Sequence, residues 1–298
     1  MRRRQKLLWT GLLSVVLFTA CGPKALPVSD PNRAQHKEME QQSPSKPFKV
    51  LTDMTISWSG ASQAEAVKLS YSNVPPIELR AETAKDKLVV PFEEVGYPES
   101  VQVLNLDTKG QKALAVHIHY YASEETVSSP IDDRWQLLVL GKQGEKLNTL
   151  FSSAELPMEQ AGSYEVEFDQ VGHIHIKDRA TGFTSDFQID FYNEEYKTLY
   201  KQAVEAPNIA QQLQPAKWFT TINVEQASEH AAAVIKLVKL IPGVHRNYPI
   251  GYMQYEYEWN EGQFTLRKQS LFTAKGAAML EPQVITEQLF EGFNGAST

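Results

Sequence analysis

A chain of 298 residues, 42% of them apolar and 22% charged, carries enough apolar side chains for at least one sizeable core, which excludes a disordered protein. Its formal charge of −7 at pH 7 argues against nucleic acid or anionic lipid as a partner of the folded surface, since both would be repelled. Cys21 is the single cysteine, so an internal disulfide, a cysteine-based metal site away from it and a downstream cysteine nucleophile are all excluded.

The chain opens on MRRRQKLLWTGLLSVVLFTAC. Arg2, Arg3, Arg4 and Lys6 form a positive region, Leu7 to Leu17 an apolar one, and the small residues Thr19 and Ala20 follow. That order is the order of an export signal. The apolar run is too short, with the wrong flanks, for an ordinary membrane-spanning helix. Phe18-Thr19-Ala20-Cys21 resembles the lipobox of bacterial lipoproteins, with Phe18 where the family usually has leucine. The resemblance implies that residues 1–20 are removed and that the Cys21 thiol receives a diacylglycerol. The new amino group is often acylated as well, with a chain such as palmitate. No other cofactor is expected. It also implies a lipid-anchored protein on the extracytoplasmic face of the cell membrane, or on the outer membrane if the cell has one, because Gly22 is not an Asp-type retention signal. Two acyl chains hold a protein stably, each buried methylene contributing about 0.8 kcal/mol. Removing the four cations of the signal from −7 leaves −11 for the remainder, so membrane contact is expected through the lipid.

Residues 21–47 contain five of the sixteen prolines and few large apolar side chains, too little to offset the entropy of ordering, and are expected to form a tether. From Phe48 onward short apolar runs alternate with Gly, Pro, Asn and Asp, which predicts a mainly β body with a few helices, propeller-like or α+β in arrangement. Strands are expected at 54–58, 66–71, 87–91, 101–106, 114–121 and 135–140, then at 163–168, 173–178, 184–191, 218–224, 232–240, 250–259 and 263–270. The period of two is clearest in Tyr164–Phe168 and Met253–Trp259. Asn260-Glu261-Gly262 predicts a hairpin turn. Helices are expected over Asn193–Gln214, closed by Pro215, and over Pro282–Phe293. The first of these is expected to divide the body into a half at 48–192 and a half at 193–298.

Val101–Val116 aligns without gaps on Phe219–Val234 at an offset of 118, each a strand, an Asn-apolar-acid step, a polar loop and a strand; a looser copy spans Val50–Leu69. Repetition of one such unit implies neighbours that stack into a common core. These units, together with Ile241–His245 and Ile250–Gly262, resemble the FG-GAP/VCBS repeats of integrin-type β-propellers and bacterial surface proteins. In that family loop acids bind calcium. Here Asn105 and Asp107 occupy the first and third loop positions, but Lys109 and Ala113 stand at the fifth and ninth; the second copy has Asn223 and Glu225, then Ala227 and Ala231. A hard cation wants six or more oxygens, so the resemblance implies the fold and not the ion.

Two His-x-His motifs, His117-Ile118-His119 and His173-Ile174-His175, are metal-ligand candidates, because alternate residues of a strand share a face. The bland alternative is ordinary strand faces, with Lys177, Asp178 and Arg179 as a solvated rim. Tyr255, Tyr257 and Trp259 share one face and would serve either recognition of a partner or glycan, or the core side of a hairpin, which is the favoured reading. The acid pairs Glu93-Glu94, Glu124-Glu125, Asp132-Asp133 and Glu194-Glu195 sit among polar residues and are expected to be solvated. The sequence contains no Gly-x-Ser-x-Gly elbow, no His-Glu-x-x-His and no phosphate-cradling loop. The expectation is therefore a non-enzymatic, membrane-anchored lipoprotein that binds a protein or polymer of the cell envelope, or plays a structural part there. The alternative is a metal-binding lipoprotein using the four histidines.

Overall fold

The alternation of apolar and polar residues that dominates the sequence builds, among the described residues, sixteen strands and one α-helix. The computed structural model describes residues 46–60, 63–92, 96–120, 133–159, 163–168, 172–189, 194–204, 214–228, 231–243, 249–273 and 283–293. The body is mainly β, and every sheet is an antiparallel meander of consecutive strands. Sheet I holds β1 (Lys49–Ile56), β2 (Glu65–Ser72), β3 (Ile77–Glu82) and β4 (Lys87–Phe92). Sheet II holds β5 (Tyr97–Asn105), β6 (Lys112–Tyr120), β7 (Arg134–Gln143) and β8 (Lys146–Ser152). Sheet III holds β9 (Tyr164–Phe168), β10 (His173–Asp178) and β11 (Thr184–Gln188). After helix α1 (Glu194–Val204) comes sheet IV, with β12 (Thr221–Gln226), β13 (Ala233–Pro242), β14 (Pro249–Asn260), β15 (Gln263–Thr273) and β16 (Gln283–Phe293).

Sheet II lies between layers, which explains why β6 and β7 lack the polar alternation of a half-exposed strand. Along β6 the side chains go alternately to two cores. Ala113 and Ala115 join Leu137 and Val139 in one cluster, while Leu114, Val116 and Ile118 join Leu138 and Leu140 in the other. The second cluster is closed by Val67, Leu69, Leu79 and Ala81 of sheet I. The first is closed by Ile235, Leu237, Tyr255 and Leu266 of sheet IV and by Val166, Ile174 and Ile176 of sheet III. Burying each large aliphatic side chain of this kind contributes about 1.5–3 kcal/mol, so the doubly covered sheet II holds the two cores together. A backbone bond from Trp135 N–H to the Phe219 carbonyl, 2.9 Å, ties β7 to the strand leading into sheet IV. Beside it the Arg134 guanidinium lies 3.7 Å from the Trp218 ring and 4.1 Å from the Tyr120 ring.

Several expectations change. Pro282–Phe293 was expected to be a helix, yet Gln283–Phe293 is strand β16, paired antiparallel with β15. Val284, Ile285 and Thr286 are β-branched, and the open edge of β15 satisfies the segment's backbone, which local helix spacing cannot outweigh. Strands β3 and β8 were not expected at all. Helix α1 ends at Val204 within the described residues, and 205–213 lie outside them. Helix α1 falls between the halves 48–192 and 193–298 in the chain, and one core cluster, running from Leu104 to Leu271, draws on both. The two hairpins β5–β6 and β12–β13 do share an architecture, but Asn105 faces Lys112 and Gln226 faces Ala233, so they correspond 121 positions apart and not 118. The hairpin turn at Asn260–Gln263 is as expected, with Glu261 and Gly262 at φ 48° and 92°, the primed turn that matches strand twist.

Candidate ligand-binding site

Four connections meet at one end of the sheet I–sheet II pair and enclose a cleft of about 780 Å³. They are the β1–β2 connection, the β3–β4 turn, the β5–β6 loop and the β7–β8 turn. Meanders place all of these at the same end because antiparallel strands alternate direction. The β1–β2 connection and the β5–β6 loop touch backbone to backbone: a Cβ on Gly60 would stand 2.8 Å from the Lys109 carbonyl oxygen, and Gly110 has φ +85°. Only glycine permits that approach at both positions. Across the same contact Lys112 N–H donates to the Trp58 carbonyl at 2.8 Å.

The charged groups of the cleft are largely spent on one another. Glu65 accepts from Trp58 Nε1 at 3.0 Å, and Lys142 Nζ stands 2.6 Å from it. The Lys142 hydrogen bond holds the Glu65 carboxyl below its ordinary range against the opposing effect of burial. Asp107 folds back on its own loop and accepts from the N–H groups of Lys109 and Gln111, both at 2.9 Å. Glu145 lies 3.7 Å from Lys85 on the exposed rim. Nearby, Asp86 accepts from Leu147 N–H at 2.6 Å, and that bond lowers its pKa while clamping the β3–β4 turn to β8. By contrast the carboxamides of Gln63 and Gln111 and the ammonium of Lys109 bond to nothing among the described residues.

Of the sequence-selected residues, the loop positions Asp107 and Lys109 line this cleft, and the histidines and aromatics lie elsewhere. Cys21 and the whole segment 1–45 fall outside the described residues, as do Glu93-Glu94, Glu124-Glu125 and Asp132. His117 and His119 stand on β6 in sheet II, whereas His173 and His175 stand on β10 in sheet III, so the two motifs are not brought together. His117 is buried and its Nδ1 is 3.0 Å from Ser100 Oγ; burial lowers its pKa, with Glu99 opposing. His119 stacks on Trp135 at 4.2 Å and bonds Asp133 at 3.0 Å. His175 bonds Asp186 at 2.8 Å and His173 is exposed. Among the described residues no group of three or more His, Cys, Asp or Glu is placed to hold a metal ion. Of the calcium-loop positions, Asp107 is engaged as above and Glu225 pairs with Lys236 at 2.6 Å.

Tyr255 and Tyr257 are fully buried in the core, the bland reading of that face, while Trp259 is half-buried and lines a groove of about 440 Å³ with Leu289 and Phe290. Asp178, expected on a solvated rim, is instead completely buried. Its Oδ2 accepts from Tyr255 Oη at 2.8 Å and Gln269 Nε2 at 2.9 Å, while Oδ1 accepts from Ala180 N–H at 2.9 Å. Tyr164 Oη lies 2.6 Å from Tyr255 Oη, so this carboxylate pins the β10–β11 hairpin to sheet IV. Burial and the neighbouring Asp178 charge push both tyrosines well above their ordinary pKa.

A second buried ionic centre escaped the sequence reading. Lys239 is fully buried, donates to the carbonyls of Met158 at 2.6 Å and Lys217 at 2.8 Å, and stands 3.7 Å from Glu159. Burial pushes Glu159 up to about 7 and Lys239 down to about 8, each opposed by the other's charge. The signal was present, because Lys239 sits on the same strand face as Ala233, Ile235 and Leu237, where alternation demands an apolar residue. Among the described residues no helix is long and apolar enough to cross a membrane. In comparison with known proteins the chain matches no family model, no curated protein and no solved structure.

Proposed function

We propose that this is a membrane-anchored extracytoplasmic lipoprotein with a non-catalytic binding or structural role at the cell envelope, and that the loop-end cleft is its binding surface. The observation that carries the anchoring is the run from Arg2 through the apolar Leu7–Leu17 to Thr19-Ala20-Cys21, ending on the chain's single cysteine. Lipid on Cys21, followed by a Pro-rich tether, would hold the body near the membrane while leaving its acidic surface clear of anionic headgroups.

The chemistry of the cleft favours binding over turnover. A general acid or base needs a pKa near the working pH and an open approach to substrate. Glu65 is instead kept ionised by Lys142, and Asp107 is committed to two backbone amides. Replacing Cys21 with serine tests the anchor. In the bacterial host, radiolabelled palmitate is expected on the parent chain and not on the Cys21→Ser variant, and the variant is expected to leave the membrane fraction or accumulate uncleaved. Equal labelling of the two would overturn the reading.

A further inference from the structure

We propose that the loop-end cleft binds an uncharged oligosaccharide. This inference deepens, and rests on, the assignment of that cleft as the binding surface. Its size, about 780 Å³, is that of a small-molecule or oligomer site and not of a flat protein interface.

Charge bookkeeping selects against an ionic ligand. Three lysines, Lys85, Lys109 and Lys142, face three acids, Glu65, Asp107 and Glu145. Two lysines are paired with acids, at 2.6 Å and 3.7 Å, and Asp107 is held by backbone amides. The site therefore presents no strong field of either sign to steer an anion or a cation. A lipid or apolar peptide is equally ill-suited, because every connection that frames the cleft contributes a polar or charged side chain to its lining.

The groups left over define the ligand. The Gln63 and Gln111 carboxamides each present a donor and an acceptor in one plane, and Lys109 presents donors only. Vicinal hydroxyls also donate and accept at once, so a sugar edge satisfies a carboxamide at both of its ends, which a simple ion cannot do. Trp58 itself is buried beneath the cleft and bonded to Glu65, so the apolar contact offered to a sugar is small, chiefly the exposed Ala64 methyl, and the hydrogen-bonding groups carry the recognition. The backbone contact of Gly60 with Lys109 and Gly110 joins the start of the β1–β2 connection to the β5–β6 loop before any ligand arrives, which limits the ordering cost of a weakly held polyol.

The test uses the full-length lipoprotein in a detergent without a sugar headgroup. Calorimetric titration is run with neutral hexasaccharides of α-1,4-glucose, β-1,4-glucose and β-1,4-N-acetylglucosamine, and with a sulfated hexasaccharide of matched length. At least one neutral probe is expected to bind, and the sulfated one no better. A Gln63→Ala/Gln111→Ala variant, and separately Lys109→Met, are expected to weaken that binding by roughly tenfold and several-fold, the loss of one or two hydrogen bonds each. Both variants are expected to keep the parent's unfolding midpoint, because the altered side chains bond to nothing among the described residues. No binding of any neutral probe, tighter binding of the sulfated one, or equal binding by parent and both variants would overturn the inference. Palmitate labelling of the same preparations keeps a failure of the ligand class distinct from a failure of the anchored reading.

Discussion

Replacing Lys239 with methionine tests whether a single buried cation organises the seam between the 3-10 turns that follow β8, residues 153–159, and sheet IV. Methionine reproduces much of the aliphatic stem but removes the ammonium that bonds the Met158 and Lys217 carbonyls and faces Glu159. Breaking one side of a buried ion pair costs about 3–5 kcal/mol, because the partner is left buried and unpaired. For a body of this size each kcal/mol moves the midpoint by about 2–4 °C, so a fall of roughly 6–20 °C is expected.

The pH dependence follows from the same groups. Glu159 has a folded pKa of about 7, above its ordinary 4.5, so the native state holds an extra proton between those values and stability falls as pH rises through that window. Lys239 has a folded pKa of about 8, below its ordinary 10.5, so the unfolded state holds the extra proton there and stability rises with pH from about 8 upward. The parent's contribution from this pair is therefore least favourable near pH 7–8. Without the cation, Glu159 resists ionisation further, and the Lys239→Met penalty is expected to be larger at pH 8 than at pH 5. Adding Glu159→Leu should restore part of the loss, since apolar replacement of a whole buried pair is often neutral. Urea unfolding followed by tryptophan fluorescence at both pH values measures all of this. A penalty below about 1 kcal/mol, the scale of an exposed pair, or one equal at the two pH values, would refute the reasoning.

Two further outcomes are expected. Glu261 occupies a left-handed conformation, φ 48°, at the first turn position of the β14–β15 hairpin. Glu261→Asn should stabilise the protein by about 0.5–1 kcal/mol, seen as a higher thermal midpoint, because asparagine tolerates that region better. His117 has its pKa lowered by burial, so the unfolded state takes up a proton first as pH falls below about 6.5, and stability is lost there. His117→Gln, which keeps a partner for Ser100, should flatten stability between pH 6.5 and 5; an unchanged acid limb in urea titrations would show that other groups dominate.

Sequence alternation located most strands because it reports a local constraint, one buried face per strand. Met253–Trp259 and His173–Asp178 were legible for that reason. Strand β3 was not, since Ile77-Glu78-Leu79-Arg80-Ala81-Glu82 is built from good helix formers, and β8 was not, since the register shift between Thr149 and Phe151 breaks the alternation of Leu147, Leu150 and Phe151. Strand β16 shows the same conflict resolved by tertiary context, where an unpaired edge at β15 decided what local spacing left ambiguous.

The amino-acid sequence by itself determined the β-rich class and the turn at Asn260–Gln263, because each depends on neighbours a few residues apart. The tertiary structure alone decided that sheet II would be covered on both faces, that Asp178 would be buried while His117-x-His119 and His173-x-His175 stayed in separate sheets, and that four connections would converge on one cleft. These depend on contacts between segments far apart in the chain, whose free energy comes from burial and from satisfying polar groups that no local pattern encodes.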